Sequence, residues 1–172
     1  LTPQKDKCPQ AHWLPTGEQA MEFFVGIALA LAVCGGAHLL AMDRDRVFYP
    51  AMMIVIATYY VLFAVIDGDK QVLLSELAIS AVFTVVALLG FKRNLWLLVA
   101  ALAGHGVMDF FHHKLVHNSG VPQGWPGFCL TFDVTAAIFV ACILTSRAEG
   151  LLAAESVPLT NQARPTSPGH RP

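Results

Sequence analysis

Five long apolar runs constrain this chain more than any other feature: Met21 to Met42, Phe48 to Ile66, Val72 to Phe91, Leu95 to Phe111 and Pro126 to Ser146. Each is close to the ~20 residues that cross ~30 Å of hydrocarbon at 1.5 Å per residue. Together they predict an all-α fold, a polytopic membrane bundle of about five transmembrane helices joined by short loops. Composition agrees, with 55% hydrophobic and 13% charged residues and a mean hydropathy of +0.56, where a soluble domain carries about 25% charged residues. The fourth run is the shortest and most polar, and its neighbours make it a span.

The spans divide the chain into a polar N-terminal tail (1–20), a transmembrane domain (21–146) and a tail (147–172) expected to be disordered, with four prolines after Ala148. The first run begins behind Lys5, Asp6 and Lys7 and exceeds a signal-peptide h-region, so it reads as a span. Residue 1 is Leu, which an unusual start codon or a longer parent chain would explain. One side of the membrane receives Lys5, Lys7, Lys70 and Lys114. The other receives Arg44, Arg46, Lys92, Arg93 and Arg147 in tighter loops, and the positive-inside rule makes that side cytoplasmic. The chain is thus expected in a bacterial cytoplasmic membrane with its N-terminus outside. Trp13, Tyr49, Trp96 and Trp125 fall near the expected interfaces. Pro50 and Pro126 fall in first helical turns, where the missing N–H costs little. Ala28, Ala32 and Gly36 form a small-residue ridge suited to close packing, and Gly35–Gly36 is a candidate kink.

A net charge of −1 argues against a nucleic-acid partner, because no basic stripe can neutralise phosphates. Four cysteines define no disulfide framework. Cys34 and Cys142 read as small buried hydrophobes, and Cys8 and Cys129 share a side on which a disulfide is open to them.

Function concentrates in the segment GHGVMDFFHHKLVH, from Gly104 to His117. Ionisable groups in a bilayer cost on the order of 3 kcal/mol each, so they persist where they work or are paired. At about 100° per residue, His112 and Asp109 lie within roughly 20° and 40° of His105, and His113 near 80°. With five antiparallel spans, depth can be compared across helices. Asp109 lies about one turn and His105 about two turns below the end of the fourth span. Glu76 on the third and Asp133 on the fifth fall in the same half, with Tyr59 and Tyr60 on the second, and Glu22 begins the first.

Imidazole and carboxylate donors together suit a divalent metal, with zinc favoured. The expected metal ligands are His105, Asp109, His112, His113 and Asp133, and the expected catalytic groups are Asp109 and Glu76, either of which can act as general base. An open metal position would lower the pKa of bound water and support hydrolysis. HExxH is absent. Plainer readings stand beside these. Asp109 and Asp133 can hydrogen-bond histidines in a purely structural network, His113 and His117 can face water at the interface, and His38, without a partner at its depth, reads as solvated or carbonyl-bonded. Tyr59 and Tyr60 read as packing residues.

The segments RVFYPAMMIVIATYYVLFAV, the lone Glu76, HGVMDFFHH and GVPQGWPGFCLTFDVTAA resemble a family of small bacterial polytopic membrane proteins known as a domain of unknown function. The resemblance covers roughly Arg46 to Ala137, is most specific at the histidine–aspartate–double-histidine pattern and at Trp125, Pro126, Phe128, Cys129 and Asp133, and implies a bacterial membrane protein without an assigned activity. At the level of the site, the chain also resembles membrane hydrolases of the alkaline ceramidase type, which set histidines and an aspartate around zinc. It departs from them in having five spans rather than seven, and Ser75 or Ser80 matches their serine only by forcing. The expected function is a metal-dependent membrane enzyme that hydrolyses a lipid-like substrate entering from the bilayer. Proton or metal-ion transport and a non-catalytic subunit with a structural polar network are the alternatives.

Overall fold

The structure, a computed structural model, describes residues 17–155. Its five helices are α1 (Gly17–Leu39), α2 (Phe48–Asp67), α3 (Lys70–Lys92), α4 (Leu95–Leu115) and α5 (Trp125–Glu155), with no strand among the described residues. All five are long and apolar enough to cross a membrane. Large side chains such as Phe24, Leu74 and Val82 stand exposed on the outer surface. Apolar cover of that extent is foreign to a water-facing monomer and natural to a lipid-facing one. The all-α bundle is therefore as the apolar runs predict, and it marks a membrane protein.

Local chemistry sets the helix ends. Asp69 caps α3, its carboxylate accepting from Gln71 N at 2.6 Å, which starts the helix two residues before Val72. Asn94 caps α4 in the same way, accepting from Trp96 N at 2.9 Å. Gly68 closes α2 in the left-handed region at φ 84°. The first span ends at Leu39 rather than Met42, because the chain turns through Ala41 at φ 58°. In the other direction α4 continues past Phe111 to Leu115, so His112 and His113 are helical.

Two expectations need correction. The expected disordered tail from 147 is still helical as far as Glu155, since Ala148 to Glu155 is rich in strong helix formers. The rest of that tail, residues 1–16, Cys8 and Trp13 lie outside the described residues. The ridge Ala28–Ala32–Gly36 does not pack as expected, for Ala28 and Ala32 are exposed. The buried face of α1 carries Gly26, Ala30, Cys34 and Ala37 instead. A Cβ on Gly26 would collide with Thr131 and the Phe128 carbonyl of α5, so hydrogen there lets the two backbones close together. The helix runs through Gly35–Gly36 without a break.

In the bundle α5 packs on both α1 and α4, α3 on both α2 and α4, and α2 more lightly on α4. Met53, Leu98, Leu102, Ala136 and Val140 fill the middle of the core. The loop between α4 and α5 folds back on α2, with Ser119 N and its hydroxyl both donating to Asp67 Oδ1. It covers the end of the bundle at which the polar side chains gather.

Candidate metal centre and its polar surround

Three buried donors meet where α4 and α5 touch. His105 Nδ1 lies 2.8 Å from Asp133 Oδ2 and 3.1 Å from Asp109 Oδ2. One ligand atom from each of the three residues falls within 4.8 Å of the others, and all three residues are at most 1% exposed. Gly106 makes this possible. A Cβ at that position would sit 3.1 Å from both the Asp133 Cβ and the Leu130 carbonyl, so α5 comes near enough for Asp133 to reach the imidazole. Phe83 of α3 stands edge-on to the His105 ring at 4.7 Å.

The donor count is lopsided. A ring nitrogen carries at most one hydrogen, and the geometry directs it to Asp133. Asp109 Oδ1 and Oδ2 and Asp133 Oδ1 are buried without a hydrogen bond in the protein. Buried carboxylate oxygens left in this state are costly unless a proton or a cation joins them. Ligands bound at about 2.0–2.1 Å to a tetrahedral ion stand roughly 3.3 Å apart. The observed separations of 2.8 and 3.1 Å are those of a hydrogen-bonded cluster, and all three ligand atoms lie within 4.8 Å of one another, so the side chains would have to adjust about an ion to bind it. One nitrogen and two carboxylates fit zinc or a similar borderline divalent ion and leave a fourth position for a further ligand.

A second cluster adjoins the first. His112 Nε2 is 2.8 Å from Glu76 Oε1, and Asn118 Nδ2 donates to the same oxygen at 3.0 Å and to the Tyr60 carbonyl at 3.2 Å. Tyr60 stacks on His112 with ring centroids 4.0 Å apart and stands 6.5 Å from the ring of His105. Its hydroxyl is buried without a hydrogen bond in the protein. Tyr60 is therefore part of the polar surround as well as packing.

The structure brings His105, Asp109 and Asp133 together as one donor set and couples His112 with Glu76 beside it. His113 does not join them. It is exposed, and with His117 it lines a polar mouth of about 710 Å³ that also reaches Glu22, His112 and Asn118. Its roughly 80° displacement from His105 turns it off the packed face. Asn118 was not foreseen, since the run Asn-Ser-Gly carries the signature of a turn.

The opposite end of the bundle holds a separate polar group. Asp43, only 3% exposed, lies 2.9 Å from His38 Nδ1 and 3.6 Å from an Arg147 guanidinium nitrogen. His38 thus has a partner, contrary to expectation, supplied by an aspartate inside a charge run that reads as solvated loop. Between the two ends lies an apolar layer. Met53, Leu98 and Val140 each stand two helical turns, about 10 Å, from Tyr60, His105 and Asp133 on their own helices.

No protein-family model, curated protein or solved structure matches the chain.

Proposed function

We propose that the protein is a metal-dependent membrane enzyme that hydrolyses a lipid-like amphiphile. His105, Asp109 and Asp133 hold a divalent ion, with zinc favoured. The observation that carries this reading is the buried convergence of one imidazole and two carboxylates within 4.8 Å, with both Asp109 oxygens and one Asp133 oxygen left without hydrogen bonds. An ion bound by three protein ligands would supply an activated water at its open position. Glu76 and the stacked ring of Tyr60 would hold the His112 ring at the boundary between the site and the polar mouth. Asp109 and Glu76 are the candidate general bases. Transport is the weaker reading, because the apolar layer of Met53, Leu98 and Val140 interrupts any polar path to the Asp43 end.

The membrane is proposed to be a bacterial cytoplasmic one, with the α2–α3 and α4–α5 loops outside. The greater positive charge at the other end supports this orientation. Membership of the bacterial family that the sequence resembles is part of the same proposal. Elemental analysis of detergent-purified protein tests the central point. Wild type is expected to carry about one divalent ion per chain and His105→Ala only background. Metal-free wild type that keeps its fold and its activity would overturn the reading.

A further inference from the structure

Beside the buried donors the surface opens sideways into a second cavity. It has a volume of about 610 Å³ and is bounded by Leu29 and Val33 of α1, by α2 from Phe48 to Tyr59, and by α5 from Trp125 to Asp133. Its size is that of a small-molecule site. Its walls are aliphatic and aromatic, and Asp133 is the one carboxylate among them. At 1.5 Å per residue the lining runs about 16 Å along α2 and about 12 Å along α5. Half of a ~30 Å hydrocarbon core is about 15 Å, the depth of a single leaflet.

We propose that this cleft seats one acyl chain of a lipid drawn from the surrounding bilayer, and that it presents that lipid to the His105–Asp109–Asp133 centre. Three observations support this occupant over others. The helices that form the cleft are membrane spans, so what meets its mouth is lipid hydrocarbon rather than water. The cleft runs about the length of one leaflet along α2 and holds about 610 Å³ between three helices, an elongated apolar space suited to an extended chain. It lies against the candidate site, because the buried Asp133 belongs to both its wall and the donor set. Trp125 packs edge-on to Tyr59 and Phe63 at the rim, a rigid aromatic stop above the apolar trough. The proposal deepens the enzymatic reading and rests on it only for the chemistry that follows binding. The seat itself is tested without any turnover.

The full chain, purified in detergent micelles, is titrated with a phospholipid bearing a photoreactive diazirine on one acyl chain. After irradiation, adducts are mapped by peptide mass spectrometry. Adducts on Phe128 and Phe132 are expected to saturate as the labelled fraction rises, whereas those on the open α3 face, at Leu74 and Val82, rise in proportion. Filling the trough by Ala51→Trp, or independently by Val55→Trp, is expected to reduce the cleft adducts roughly tenfold, an overpacking penalty of the usual size. The α3 adducts and the metal content should not change, and that constancy reports an intact bundle. Cleft adducts that rise in proportion and ignore both substitutions mean passing contact with bulk lipid and overturn the proposal. Cleft residues that take no lipid adduct while the α3 face does overturn it as well. Saturable adducts in a metal-free protein would keep the acyl seat and refute the metal reading. A stoichiometric metal with non-saturable adducts would do the reverse.

Discussion

The two ends of the bundle each bury aspartate beside histidine, yet the balance of donors and acceptors differs. At one end the single carboxylate of Asp43 meets two partners, His38 and Arg147, and the imidazole is half open to the surroundings. At the other end Asp109 and Asp133 compete for one nitrogen of His105, and the buried oxygens outnumber the hydrogens that can reach them. A matched pair of the first kind fastens the α1–α2 turn to α5. A surplus of acceptors in a dry interior fastens nothing and calls for a proton or a cation to join it. Burial and residue type are therefore poor guides to a functional site when taken alone. The count of hydrogens against lone pairs separates the two ends.

The largest effect that sharpens this contrast is expected from replacing both Asp109 and Asp133 by Asn. Amides of the same shape remove the acceptor surplus, and bound metal should fall to background, a loss of more than about tenfold. If the cluster were only a packing network, the double variant would hold no less metal than wild type. Its thermal stability would equal or exceed that of wild type, as often follows when buried charges are neutralised together. Chelation gives the next effect. Stripping an ion present at about one hundred times its Kd removes roughly 2.7 kcal/mol of stability, so the Tm in detergent should drop and recover on adding zinc. Asp43→Asn should show the same chelator-sensitive drop as wild type, because its end of the bundle takes no part. An equal Tm with and without chelator would break the distinction between the ends.

Glu76→Gln should act at one remove. The side chain still reaches His112 but no longer offers two acceptor oxygens, and an orienting group of this kind is worth about tenfold in metal affinity or activity. Unchanged metal affinity and activity would confine Glu76 to packing. The smallest effect is expected at the fastened end, where Asp43→Asn should cost about 1 kcal/mol in unfolding free energy and leave metal content untouched. A larger cost there, or a loss of metal, would mean that the two ends are coupled through the apolar layer.

Much of the architecture could be read from the chain because a membrane enforces length and polarity together. Five apolar runs become five helices, and depth counted along antiparallel spans places His105, Asp109, Glu76 and Asp133 in one half of the bundle. Other features depend on information a linear pattern does not carry. Asn118 and Asp43 lie in polar stretches typical of solvated loops, and tertiary folding alone makes them buried partners. The helical positions of His112 and His113 differ by a single residue, yet one turns inward and the other to the polar mouth. The packed face of α1 was misread because two small-residue ridges compete on that helix, and the fit of Gly26 against α5 decides between them.

The position of Asp133 on the last span has a consequence for biogenesis. His105 and Asp109 already meet on α4, and the triad can close only once α5 brings Asp133 to them, so a chain truncated before the fifth span lacks the second carboxylate.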